Sequence, residues 1–119
     1  MVVTFLGSGN LGIKLLDFLV NNPNVFKEIN VITKVDKLAS RGYKIKPTLI
    51  KEHILKNNYS INLIEVDSLK KIDIDLKNKV KEVLKKSDIS IVCDIGLIIP
   101  EDLIDLPKIF INIHPSLLP

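Results

Sequence analysis

Asn112 and His114 stand two residues apart in "INIHPSLLP", residues 111–119. Ile111 and Ile113 alternate with them at the period of a strand, so the carboxamide and the imidazole point to one face. Side by side at a strand tip, the two groups can serve a carbonyl oxygen as it becomes an oxyanion. The amide donates one hydrogen bond; a protonated imidazole donates another and can pass protons. Pro115 stops the strand. "SLLP" then offers backbone donors and two apolar walls for a flat ligand. The same residues also suit a polar strand edge, with His114 satisfied by a backbone carbonyl, and their types alone leave both readings open.

A second constellation is "GSGNLG", Gly7 to Gly12, which matches G-x-G-x-x-G letter for letter between an apolar run and a helical pattern. Glycines there let backbone approach a pyrophosphate, and a helix N-terminus favours the anion. A dinucleotide site also needs an acid roughly 20 residues on, at the tip of the second strand. Here "VITKVD" puts Thr33 and Lys34 at that tip and leaves Asp36 in the loop. Any tight strand-to-helix turn favours small residues too, with Asn10 or Ser8 as N-cap. Cys93, inside "ISIVCDIG", reads as a small buried filler rather than a nucleophile. No metal site is expected.

The elements that must position these residues alternate. "VVTFL" is a strand. "NLGIKLLDFLVNN" has helical spacing at Leu11, Leu15, Phe18 and Leu19, with Ile13, Leu16 and Val20 widening the stripe, and "NNPN" ends it. "INVIT" is a second strand, and "KVDKLASRGYKIKP" reads as a long charged loop. "PTLIKEHILKNN" suits a helix with Pro47 at its first position. "INLIEV" is a third strand. The alternating "IDID" is ambiguous, but from Leu76 the spacing Leu76, Val80, Val83, Leu84 is helical. "DISIVCDIG" is a strand, "IPEDLIDLP" a short helical turn and "IFINIH" the last strand. This βαβ alternation predicts an α/β, Rossmann-like, open and mainly parallel sheet with helices on both faces. Ligands bind such sheets outside the carboxyl ends of the strands, where His114 falls.

The totals bound the class. One hundred and nineteen residues, 46% hydrophobic, make a single domain over 1–119. No apolar run approaches the roughly 18 residues of a membrane span. The opening "MVVTFLGSGN" lacks the basic region and cleavage site of a signal peptide, and one cysteine excludes an internal disulfide framework, so the cytoplasm is expected. Net charge is +3, unevenly spread. Lys34, Lys37, Arg41, Lys44, Lys46, Lys51 and Lys56 face only Asp36 and Glu52 between residues 34 and 58, whereas from Ser87 onward Lys108 stands against five acids. Such a stretch is either a solvated surface or a footprint for an anionic partner.

"NIHPSLLP" resembles the signature of the folate-dependent formyltransferases, which move a formyl group from 10-formyltetrahydrofolate to an amine. "KVDKLASRGYKIKPTLIKEHI", residues 34 to 54, and "DIGLIIPEDLIDLP" resemble segments of the methionyl-tRNA branch of that family. The resemblance covers nearly the whole chain. It implies that Asn112 and His114 are two members of a catalytic trio. Ser116, Leu117, Leu118 and Pro119 would form the folate-contacting turn, and Gly96, Leu97, Ile98, Ile99 and Pro100 the other wall of the folate pocket. Arg41, Lys44 and Lys46 would meet the acceptor end of initiator methionyl-tRNA. The "GSGNLG" turn departs from the Gly-Thr-Pro type turn more usual in the family, without touching a catalytic position.

The family continues beyond "SLLP" with an arginine- and glycine-containing segment, a catalytic aspartate and a tRNA-holding domain. The resemblance therefore implies an incomplete formyltransferase domain, its amino-terminal portion cut in the active-site loop. Its 119 residues are expected to be inactive alone and to self-associate through the open sheet edge. Competing readings are a formyltransferase acting on glycinamide ribonucleotide or a sugar amine, a dinucleotide-binding module at Gly7–Gly12, and a non-catalytic chain that binds a partner through its exposed sheet.

Overall fold

The structure, a computed structural model, describes residues 1–38 and 45–113, the side chains at 37, 38, 45 and 46 excepted. The run Val2–Leu6 forms β1 and the glycine turn leads into α1, Leu11–Val20. β2 spans Glu28–Lys34. Two short strands follow, β3 at Lys37–Leu38 and β4 at Ile45–Lys46, paired antiparallel. Then come α2 at Leu49–Lys56, β5 at Asn62–Val66, α3 at Ile74–Lys86, β6 at Ile89–Cys93, α4 at Glu101–Ile104 and β7 at Ile109–Ile113.

Among the described residues five strands form one parallel sheet in the order β5-β2-β1-β6-β7. Alternate residues of each strand feed opposite cores, as the two-residue period requires. On one face Val3, Phe5, Val31, Ile91 and Cys93 meet Leu16 and Leu19 of α1 and Ile50 and Ile54 of α2. On the other, Leu6, Ile32, Ile64, Val66 and Val92 meet Val80, Val83 and Leu84 of α3 and Leu103 of α4. Burial on both faces explains why the strand sequences are nearly continuous apolar runs. The Rossmann-like α/β architecture is thus the one the element order predicts.

Three local expectations need correction. The stretch read as one long loop contains the β3–β4 ribbon, whose two-residue strands are too short to leave a period. Pro47 does not open α2. Thr48 is the N-cap, in extended conformation, and its Oγ1 accepts from Lys51 N at 3.2 Å. On α1 the buried positions are Gly12, Leu16 and Leu19, while Phe18 is 56% exposed. This helix is apolar around most of its circumference, so spacing alone does not choose the inward face; contact with the sheet does. The ambiguous "IDID" resolves at Asp73, whose carboxylate caps α3 by accepting from Leu76 N at 3.3 Å.

Candidate active site

The chain runs outward from β1 through β2 to β5 on one side, then returns to β6 and β7 on the other. The crossovers diverge between β1 and β6, which leaves a crevice at the carboxyl ends of these strands. A cleft of about 310 Å³ opens beside that crevice, over the carboxyl ends of β6 and β7. Val92 and Phe110 line its depth, Gly96, Leu97 and Ile99 one wall, and Asn112 the other. Asn112 lies opposite Val92 in the β6–β7 register. With Phe110 two residues before it, it faces the α3/α4 side and is exposed to the opening. The cleft can hold a flat apolar group against a few convergent polar ones, as small-molecule sites do.

A second cleft, about 220 Å³, shares Asp94, Ile95 and Gly96 with the first and adds Ser8, Gly9, Lys34 and Thr48. The rim between them is a hydrogen-bonded belt. Ser8 N donates to Asp94 O at 3.1 Å, and Ser8 Oγ donates to Ile95 O at 3.3 Å while accepting from Lys34 N at 3.3 Å. Thr33 Oγ1 and Thr48 Oγ1 are 3.1 Å apart, which ties β2 to the start of α2. Strand ends that would otherwise splay are therefore fixed relative to one another. Asp94 closes the gap in a left-handed conformation, φ 58°. Beside it the Cys93 thiol is buried, and burial followed by the Asp94 charge pushes its pKa up, so it stays a thiol rather than a nucleophilic thiolate.

The glycine motif has a packing explanation. A Cβ at Gly7 would stand 2.6 Å from the Phe5 ring and 2.7 Å from Cys93 O, and one at Gly12 would stand 2.5 Å from the same ring. A Cβ at Gly9 would lie 1.9 Å from Asp94 Oδ2. The space a pyrophosphate would enter over Gly9 is thus flanked by a carboxylate, which repels it. The letters that suggest a dinucleotide instead seat Phe5 and Asp94.

Of the expected site residues, Gly96, Leu97, Ile99 and Asn112 line one cleft. Pro100 sits just behind the wall as the N-cap residue of α4, and Ile98 turns outward, 68% exposed. His114, Ser116, Leu117, Leu118, Pro119, Arg41 and Lys44 lie outside the described residues, as does the side chain of Lys46. The sequence reading missed Asp94 and Phe110. Phe110 was accessible, because it shares strand parity with Asn112. Asp94 was not, because its place at the cleft mouth depends on the turn after β6. Among the described residues no three His, Cys, Asp or Glu side chains gather as a metal site, and no helix is long and apolar enough to cross a membrane.

The chain is similar in sequence to known proteins. A family model described as "Formyl transferase" matches residues 1–119. The chain is 38% identical over 122 residues to a methionyl-tRNA formyltransferase of Sulfurihydrogenibium sp. (strain YO3AOP1), covering all of this chain and 36% of that protein. Methionyl-tRNA formyltransferases of Ehrlichia ruminantium (strain Gardel) and Clostridium acetobutylicum are each 35% identical, over 120 and 118 residues. The chain spans little more than a third of the length of these curated relatives. With a family model matched along all of residues 1–119 and relatives similar over the whole of it, the chain belongs to the formyl transferase family.

Proposed function

We propose that the cleft receives 10-formyltetrahydrofolate as formyl donor and serves transfer of its formyl group to the amino group of methionyl-tRNA, the reaction of translation initiation. The supporting observation is Asn112, a carboxamide donor standing across a slot of mixed polarity from Gly96, Leu97 and Ile99 at the carboxyl ends of the sheet. The slot suits a pterin ring, and the names of the relatives favour methionyl-tRNA as acceptor over glycinamide ribonucleotide or a sugar amine. Arg41, Lys44 and Lys46 supply charge for the tRNA phosphates. A cytoplasmic setting follows from the same reading.

The amine, with a free pKa of about 7.7–8.0, attacks the formyl carbon in its neutral form, and the carbonyl electrons move to oxygen. Asn112 donates a hydrogen bond to that oxyanion; His114 stabilises it and relays the amine's proton to the departing folate nitrogen. Backbone around Ser116, Leu117, Leu118 and Pro119 completes the folate side, with Pro100 supporting the opposite wall. The family's aspartate, which would orient His114, is not among residues 115–119. Residues 1–119 alone are therefore expected to transfer no formyl group, and measurable transfer by them would overturn this assignment of roles.

The test joins residues 1–119 to the part of the Sulfurihydrogenibium relative that they do not cover. Asn112→Ala in that chimera should lower kcat by about 10²–10³ with donor binding retained, the usual loss for one oxyanion donor. Unchanged turnover would remove Asn112 from the chemistry.

A second property rests on β7, an edge strand among the described residues, with Ile109 55% and Ile111 41% exposed. An unpaired edge beside apolar surface favours association with a second copy of the chain.

A further inference from the structure

Residues 70–86 carry seven lysines against Asp73, Asp75 and Glu82, a net +4 in a chain whose total is +3, so all other residues together carry −1. This segment is the loop after β5 and the helix α3. The loop leaves the carboxyl end of β5, which places Lys70 and Lys71 at the cleft end of the sheet; α3 then runs back antiparallel to the strands.

The lysines of α3 divide into two flanks about the buried Val80, Val83 and Leu84. Lys79 and Lys86 share their flank with Asp75 and Glu82, and Lys86 pairs with Glu28 at 2.6 Å. Lys77, Lys81 and Lys85 form the other flank, a ridge at i, i+4 and i+8 that spans about 12 Å. Like charges at that spacing oppose helix formation. Lys77 reaches Asp102 of α4 at 3.5 Å, directly after the segment that walls the cleft. Among the described residues no carboxylate pairs with Lys81 or Lys85. The ridge thus starts beside the candidate active site and leads away from it, unneutralised over its far half. The outermost positions of α3, Asp75, Asn78 and Glu82, carry no apolar stripe, so the helix lacks the face that a membrane-surface helix needs.

We propose that Lys77, Lys81 and Lys85, led by Lys70 and Lys71 at the cleft end, form a docking strip for the phosphate backbone of a structured RNA whose acceptor end reaches the cleft. The strip rests on the methionyl-tRNA reading and adds a second contact region, distant from the 34–58 stretch. Phosphates offer a repeating anionic line that flexible lysines match as point charges. Binding such a line relieves the like-charge repulsion along the ridge.

The test measures binding of bulk tRNA to the 119-residue chain across a salt series. Three forms are compared: the unchanged chain, a triple variant Lys77→Gln, Lys81→Gln, Lys85→Gln, and a charge-matched control Lys14→Gln, Lys27→Gln, Lys108→Gln. Circular dichroism checks folding, and the ridge variant should be at least as stable as the unchanged chain. The ridge variant should bind at least tenfold more weakly, with the slope of log K against log salt shallower by about 2–3, as loss of three phosphate contacts requires; the control should lose much less. Equal losses in both variants, or binding to phosphatidylserine vesicles in place of tRNA, overturn the strip. Tight tRNA binding unaffected by the ridge variant overturns the strip and leaves the acceptor reading standing. No tRNA binding by any form overturns the strip, while the acceptor reading is tested separately by formyl transfer to methionyl-tRNA in the chimera.

Discussion

Gly96 is constrained twice, by its backbone and by a neighbour. Its φ of +68° lies in the region that side chains disfavour, and a Cβ there would stand 2.6 Å from Lys34 Nζ. The lysine tip can move; the backbone cannot relax without reshaping the cleft wall. Gly96→Ala should therefore destabilise the chain by about 1–2 kcal/mol, the usual cost of a left-handed non-glycine residue, read as a lower urea midpoint. Donor binding should weaken with it. Gly7→Ala should be worse, since its obstacles are the fully buried Phe5 ring and the Cys93 carbonyl. NAD binding by the unchanged chain would contradict the packing account of these glycines.

At the scale of elements, α1 and α2 are joined by a polar clamp on the side of the sheet away from α3. Asp17 Oδ1 accepts from Tyr59 OH at 2.5 Å and from His53 Nε2 at 2.6 Å, and the His53 and Tyr59 rings meet edge to face at 5.6 Å. The Tyr59 hydrogen bond, with help from His53 and against a smaller opposing effect of burial, holds the Asp17 carboxyl below its ordinary 3.8. The folded-state value is depressed, so the stability it lends is full above pH 3.8 and is lost as pH falls through the folded value. Asp17→Asn should remove that part of the acid sensitivity while lowering stability at neutral pH. Tyr59→Phe should cost about 1 kcal/mol; acid denaturation curves of the three proteins decide it. The cap of α3 gives a parallel case: Asp73→Ala should cost about 1 kcal/mol by freeing Leu76 N.

Across the whole molecule, the two faces of the sheet are covered unequally. On one face α3 lies beside β5 and α4 reaches β7, whereas α1 and α2 sit together on the other, linked through Asp17. Leu11 and Phe18 occupy the flank of α1 opposite Asp17, turned away from α2. Ile109 and Ile111 of β7 are exposed on that same face of the sheet. Surface of this kind favours association. Sedimentation of the 119-residue chain should show mass rising with concentration, and Ile111→Lys, which puts a charge on the edge, should return it toward monomer. A monomer at all concentrations would refute this.

The sequence by itself determined the strand order along the chain, the two-faced burial and the parity that sets Asn112 beside Phe110, because apolar runs and a two-residue period are local properties. It also carried the family, through short segments at 34–54, 94–107 and 112–119 that need no geometry to be compared. Only the tertiary structure decided which side of α1 is buried, because a helix apolar nearly all round has no preferred face until a sheet meets it. The same holds for the glycine motif: its letters fit a pyrophosphate or an aromatic ring equally well, and the packing of Phe5 from the preceding strand, with the approach of Asp94 from far along the chain, selects the second. The β3–β4 ribbon and the flank of α3 left without acids likewise depend on which neighbours arrive, and no spacing along the chain encodes that.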